Sequence, residues 1–389
     1  MRWRLALFLV WLSVSASVLL ASACARHDYL VQEVYEQVRY SNQVDLLFIF
    51  DNSQSMGDEQ AALVSNTAAF VQSLSAAALQ DRASPKRTLS DAVRNYLFFL
   101  DNFDRFVEPQ LGVTSTQVNL TAQTLPAPGE DGRLFLPYPD EPQKPPYLTL
   151  DDPDLIARFE DTLSAIGLSP TGGVEQGLEA LRRAICLASE TPETLGAADS
   201  TVSCDDLLPD EQGLNQGFLR DDVALVAVII SDEGDSSAAP VADYLDFLER
   251  TGRPVSIAAI TPTLGTETEP ACNPETAPAD TIERYREAAE GTGGLHIPVC
   301  ADFGQTLADI RVLINRLLAR FRLREIPDED SLLVFVEGRE IPRDSTEGWS
   351  FNPGDNSIEF HGGAVPDYGM RIEVYYRAVA AVDPRPLPF

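Results

Sequence analysis

Three runs of nearly continuous apolar residues, Val44–Phe50, Val223–Ile230 and Val255–Ile260, constrain this chain more than any other feature. A strand that is apolar along its whole length must be covered on both faces, the condition of a central strand in a parallel sheet. Helical spacing appears between the runs. Leu63, Thr67, Phe70, Val71 and Leu74 mark a first crossover helix. Further helices are predicted over about 154–166 and 174–187, and another begins at Pro240, where a missing N–H costs nothing. Leu307, Ile310, Leu313, Ile314, Leu317, Leu318 and Phe321 form one long apolar stripe. Additional strands are expected at 110–116, 132–136 and Leu295–Val299, with a proline-rich surface loop over 137–153. Strands alternating with helices predict an α/β fold: a doubly wound, mostly parallel open sheet with ligands at the carboxyl ends of its strands. The loops after Phe50 and Ile230 lie on that edge.

Beyond Arg324 the pattern changes to short strands separated by turn residues, at Leu332–Val336, Trp349–Phe351, Ser357–Phe360 and Met370–Tyr376. The expected division is therefore an export leader over 1–23, a linker over 24–43, an α/β domain over 44–323, a small antiparallel β module over 324–378 and a tail over 379–389. The leader has Arg2 and Arg4 ahead of an apolar stretch from Leu5 to Leu20, too short to span a bilayer comfortably. It closes on Leu20-Ala21-Ser22-Ala23-Cys24, which resembles a bacterial lipobox. The resemblance implies acylation of Cys24, and Ala25 in the following position implies an outer-membrane lipoprotein.

An exported chain meets an oxidising compartment, where Cys186, Cys204, Cys272 and Cys300 are expected to form disulfides. Three pairings are possible, and proximity favours Cys186 with Cys204 and Cys272 with Cys300. The segment 188–218 lacks periodicity and holds Cys204, so it reads as a stapled excursion. Sixty acidic residues against 29 Lys and Arg give a net charge of −31, a field that repels phosphate backbones and excludes nucleic acid as a partner. With three scattered histidines and no Cys-x-x-Cys, a structural zinc site is not expected.

Asp51-Asn52-Ser53-Gln54-Ser55 comes directly after the first buried run. In a loop leaving a strand, alternate side chains can turn inward together, so a carboxylate and two hydroxyls converge above the sheet. Such hard oxygen donors suit Mg²⁺. This Asp-x-Ser-x-Ser segment resembles the first element of the metal-ion-dependent adhesion site of von Willebrand factor type A domains. Thr171, in Pro170-Thr171-Gly172-Gly173, matches that family's threonine loop, and Asp232, after the second apolar run, matches its closing acid. Glu233-Gly234 stands where the family commonly has Asp-Gly.

The resemblance covers about residues 44–322 and implies one divalent cation, Mg²⁺ or else Mn²⁺ or Ca²⁺, held by Asp51, Ser53, Ser55, Thr171 and Asp232. By the same resemblance the hydroxyls bind directly, the acids act largely through water, and an acidic side chain of a protein ligand completes the coordination. The implied protein is a binding module rather than an enzyme, anchored to the membrane by its N-terminal lipid. An alternative is a structural or assembly subunit of an envelope complex with a vestigial metal site. A haloacid-dehalogenase-like phosphotransferase is weaker, because its chemistry needs a second acid two residues after the nucleophile and Ser53 stands there. Asp221, Asp222 and Asp235 read as solvated loop charges, and Trp349 as core of the small domain. Thr114, Ser115 and Thr116, at another strand's carboxyl end, compete with Thr171 for the hydroxyl role.

Overall fold

The computed structural model describes residues 33–379 except 40–41, 58–65, 67–69, 71–106, 120–124, 167–174, 196–200, 222, 266–270, 276, 354–355 and 367–369. The leader, Cys24, most of the first crossover helix, Thr171 and nearly all of the tail lie outside the described residues. In chain order the elements are β1 (Glu33–Arg39), β2 (Gln43–Phe50), β3 (Glu108–Ser115), β4 (Leu148–Thr149), α1 (Leu155–Ala165), α2 (Gly177–Ala188), β5 (Ala224–Ile230), α3 (Val241–Arg250), β6 (Val255–Thr261), α4 (Ala279–Gly291), β7 (Leu295–Pro298) and α5 (Phe303–Leu318). Next come β8 (Arg320–Arg322), β9 (Leu333–Val336), β10 (Arg339–Ile341), β11 (Trp349–Asn352), β12 (Ser357–Phe360) and β13 (Arg371–Arg377). The chain divides into two compact units, one over 41–320 and the other combining the segment before 41 with residues 321 onward.

The larger unit is built on a six-stranded sheet in the order β4-β3-β2-β5-β6-β7. Every pairing is parallel except that of β4 with β3. This is the doubly wound α/β sheet expected from the alternation. Successive side chains of a strand point to opposite faces, and β2 shows the consequence. Leu46, Phe48 and Phe50 join a core completed by Phe159 of α1 and Ile310, Leu313 and Ile314 of α5. Leu47 and Ile49 join a second core with α2, α3 and α4 on the other face. Phe48, stacked on Phe50 and met edge-on by Phe159, is the kind of side chain whose burial stabilises by about 1.5–3 kcal/mol.

All twelve residues of α2 are buried. One side faces the sheet, and the excursion over 188–218 covers another. The Cys186–Cys204 disulfide ties that excursion to the end of α2, while Cys272–Cys300 joins the loops that come after β6 and β7. Both pairings are those favoured by proximity. Beneath the excursion Arg182 pairs with Glu179 and Asp206, and Arg183 with Glu211. Asn215 donates to the carbonyls of Gly132 and Ala184 and accepts from the Leu134 amide. The aperiodic segment is thus a polar-pinned cover for a helix.

Two expectations need correction. The segment 132–136 forms no strand. Asp131 and Gly132 adopt positive φ, 52° and 77°, which breaks an extended run, and the chain then runs irregularly beside β3, with Phe135 N–H donating to Val113 O at 2.8 Å. The edge strand is β4, formed inside the proline-rich loop. The expected linker over 24–43 contains β1, which pairs with β13 from Glu33 opposite Arg377 to Arg39 opposite Arg371. Its polar residues read as linker, and its partner lies near the other end of the chain.

The smaller unit holds an antiparallel sheet in the order β1-β13-β9-β10 and a second sheet in the order β11-β12-β8. Ile372, Val374 and Tyr376 alternate inward along β13. Trp349 is buried and its Nε1 donates to Ile341 O at 2.8 Å, so it belongs to the core as expected.

Candidate functional site

The carboxyl ends of β2, β3 and β5 lie side by side, and three backbone bonds lock the residues just beyond them. Asp51 N–H donates to Ile230 O and Thr116 N–H to Phe50 O, both at 2.8 Å, and Ser231 N–H donates to Ile260 O at 3.1 Å. Asp51, Ser231 and Thr116 therefore leave the sheet together. Asp51 turns inward, 3% exposed, accepting from Ser53 N–H at 2.7 Å on one oxygen and from Ser231 Oγ at 2.6 Å on the other. This local loop brings the two hydroxyls round: Ser53 Oγ and Ser55 Oγ lie 2.8 Å apart, and Ser55 Oγ donates to Asp232 Oδ1 at 3.2 Å. Asp232 is 1% exposed. Asp51, Ser53, Ser55 and Asp232, from two loops, thus meet in one hydrogen-bonded group.

Two further residues lie beside this group, Thr116, an alternative to Thr171 in the sequence, and Glu175, which the sequence did not single out. Thr116 Oγ1 donates to the carboxylate of Glu175, which is 2% exposed and stands just before α2. Gln117 and Glu175 form an isolated bridge, and Gln176 N–H donates to Thr116 O at 3.1 Å. Thr114 and Ser115 direct their hydroxyls to the carbonyls of Arg133 and Gly129 instead, so Thr116 is the member of that triplet at the site. The strand-end position of Thr116 was a sequence signal. Glu175 carried none.

Asp235 is the clearest correction among the charged residues. It is fully buried, not a solvated loop charge, and accepts from Leu178 N–H at 3.2 Å, Ser237 Oγ at 2.7 Å and Arg284 Nε at 2.9 Å. The opening amides of a helix have no intrahelical partner. In α2 those of Gly177, Leu178 and Glu179 are taken by Tyr285 OH, Asp235 and Ser237 Oγ respectively. The loop after β5 thereby holds both Asp232 and the start of α2. Gly234 lets this loop press against α4, since a Cβ there would stand 2.1 Å from Thr281 Oγ1 and 2.8 Å from its carbonyl carbon.

The electrostatics separate this edge from the rest of the molecule. Five other buried acids have arginine partners, Asp45 with Arg220, Glu179 with Arg182, Glu211 with Arg183, Asp235 with Arg284 and Glu373 with Arg371, while buried Asp131 accepts from the Asn119 amide instead. Among the described residues no ion pair reaches Asp51, Glu175 or Asp232. Burial, then the charge of Asp51, pushes Asp232 up to about 7 against the bond from Ser55, with Glu275 adding to the rise. Burial and Asp51 push Glu175 up to about 8 against the bond from Thr116. Glu233 is raised by burial, Asp51 and Glu275.

A divalent cation fits this donor set. Hydroxyl and carboxylate oxygens are hard ligands, and positive charge is what the buried acids lack. No group of three or more His, Cys, Asp or Glu side chains with metal-holding geometry occurs among the described residues. The donors that meet here are of another composition, two acids and two hydroxyls.

No protein-family model matches the chain, and no curated protein matches it. Among solved structures it is similar to von Willebrand factor type A from Catenulispora acidiphila, at 12% identity over 90% of this chain and 62% of that one, with a TM-score of 0.38. It is similar to the pilus adhesin SpaC from Lactobacillus rhamnosus GG in its open conformation, at 10% identity over 91% and 42% of the two chains, with a TM-score of 0.36. It is similar also to proximal thread matrix protein 1 from the mussel byssus, at 13% identity over 75% and 52%, with a TM-score of 0.34. The chain spans 42% to 62% of the length of these three.

Proposed function

We propose that this chain is an exported binding module of the von Willebrand factor type A kind, holding protein ligands through a divalent cation at the carboxyl edge of its sheet. The observation that carries the reading is the meeting of Asp51, Ser53, Ser55 and Asp232 at a place where no ion pair reaches the buried acids among the described residues, in a molecule that pairs Asp45, Glu179, Glu211, Asp235 and Glu373 with arginine. Those four residues, with Thr171 from the loop before α2, would hold Mg²⁺, or Mn²⁺ or Ca²⁺. The ion would supply the positive charge that attracts an acidic side chain of the partner. This chain's part is binding and orientation. Ser231 and the Ser53 amide fix the Asp51 carboxylate, and the Asp235 network fixes the loop carrying Asp232.

The two disulfides support a place outside the cytoplasm, and acylated Cys24 would anchor the chain to the outer membrane. Calorimetric titration of Mg²⁺ or Mn²⁺ into the purified chain tests the cation. One bound ion per chain is expected, with affinity reduced at least about tenfold in Asp51→Asn. An absence of divalent binding by the wild type overturns the reading and favours an assembly subunit with a vestigial site.

A further inference from the structure

In the smaller unit, the pairing of Glu373 with Phe335 and of Tyr375 with Leu333 puts these four side chains on one face of the β1-β13-β9-β10 sheet. Their strand neighbours Val334, Val336, Ile372, Val374 and Tyr376 are buried. A face meant only for water would carry polar residues at the outward positions. Here Leu333 and Tyr375 are 47% and 41% exposed, and the Phe335 and Tyr375 rings meet edge-on at 5.6 Å. With Ser331, Glu373 and Arg377 they line a groove of about 600 Å³, the kind of exposed aromatic surface that marks a binding site. The chain itself brings a segment to it. Arg377 N–H donates to Ser331 Oγ at 2.9 Å, and two residues later Val379 N–H donates to Ile326 O at 2.8 Å, so the chain enters 380–389 next to the groove's Arg377 end.

That segment ends in Asp383-Pro384-Arg385-Pro386-Leu387-Pro388-Phe389. Its three prolines lack the N–H that a sheet ladder needs, which argues against pairing along a strand edge. They also favour an extended, polyproline-type backbone, which loses little freedom on docking and is the form that aromatic-lined grooves accept. Length agrees. Glu373 to Arg377 spans about 14 Å of strand, and ten residues of that form reach about 31 Å, enough to turn back over the groove. Coming from the Arg377 end, the segment brings Asp383 before Arg385, the order that sets an acid nearer Arg377 and a base nearer Glu373. We infer that segment 380–389 docks on its own chain in this groove, its prolines and Leu387 covering Leu333, Phe335 and Tyr375. This docking involves neither the proposed cation site nor the larger unit.

The test uses a fluorescent synthetic peptide of residues 380–389 as probe and four purified proteins: wild type, the chain ending at Val379, and that shorter chain carrying Tyr375→Ala or Leu333→Ala. Both substituted side chains are exposed, so urea unfolding midpoints should stay close to that of the shorter chain. Fluorescence anisotropy should show the peptide binding the shorter chain with a Kd below about 1 mM, since a tether holds the segment at about millimolar effective concentration and weaker docking would leave the groove mostly empty. Wild type, its groove already covered, should bind the peptide at least about twofold more weakly. Each substitution should weaken binding about fivefold. Light scattering should give a monomeric mass for wild type and for the shorter chain. A shorter chain that does not bind at about 1 mM peptide overturns the docking, as does equal binding to wild type. Binding undiminished in both substituted chains puts the peptide elsewhere and overturns it too. A wild-type dimer that the shorter chain does not form would place the segment on a second copy, against docking on its own chain.

Discussion

Replacing Asp235 with alanine removes an acid that joins three parts of the larger unit. It takes a bond from the Leu178 amide at the start of α2, one from Ser237 within its own loop, and an ion pair from Arg284 of α4. Breaking a buried ion pair by deleting one partner costs about 3–5 kcal/mol, because the remaining charge stays in a poor environment. Two features place the loss at the lower end. Arg284 is 20% exposed and keeps a bond to Ala239 O at 2.8 Å. The acid itself is held above its ordinary pKa by burial, despite Ser237 and Arg284, so deleting it recovers some desolvation cost. About 3 kcal/mol should be lost in Asp235→Ala, and roughly half as much in Asp235→Asn, which can still accept from Ser237 and Leu178. Urea unfolding of the oxidised protein in chelator, monitored by circular dichroism, gives the difference from the midpoint and slope. A loss below about 1 kcal/mol for Asp235→Ala would refute the claim that this acid organises the start of α2.

Two further outcomes are expected. Asp232 and Glu175 are raised on folding from 3.8 and 4.5 to about 7 and about 8, so the folded chain keeps protons that the unfolded chain releases. Their stabilisation is complete below the lower values and is lost as pH rises through the higher ones. In chelator the melting temperature should fall between about pH 4 and pH 8, and fall less in Asp232→Asn; a flat wild-type profile would refute this. Replacing Cys24 with serine should release the protein from membranes or leave it unprocessed, as cell fractionation would show. A correctly cleaved Cys24→Ser protein still sedimenting with membranes would sink the lipid anchor.

The architecture of the larger unit was legible because each central strand carries its burial in its own residues. Val223–Ile230 is apolar throughout, and the structure buries every residue of β5. Edge and terminal elements were harder to read because their pairing depends on distant partners. β4 is two residues long inside a proline-rich loop, and β1 mixes Glu33, Glu36 and Arg39 with its apolar residues. The excursion over 188–218 shows another limit. Arg182 and Arg183 would ordinarily mark a solvent face of α2, but Asp206 and Glu211 meet them from a segment with no period, and the helix becomes buried on all sides.

The site divides along the same line. Asp51, Ser53 and Ser55 were legible because their meeting is local, set by a loop leaving a strand, and Asp232 because it comes after the neighbouring strand. Glu175 and Asp235 were not, since an acid in a sequence does not declare what stands opposite it. Both lie in polar stretches beside α2 and both are buried, yet their roles depend on their surroundings. Asp235 faces Arg284 and two donors, so its charge is spent within the fold. Glu175 accepts from Thr116 and no ion pair reaches it among the described residues, so burial and the charge of Asp51 raise its pKa and favour the neutral form. In a chain of net charge −31, counting acids therefore says little about which of them the fold leaves without positive charge beside them. The discriminating property is a buried acid whose neighbours are also acids, and only the fold brings those neighbours together.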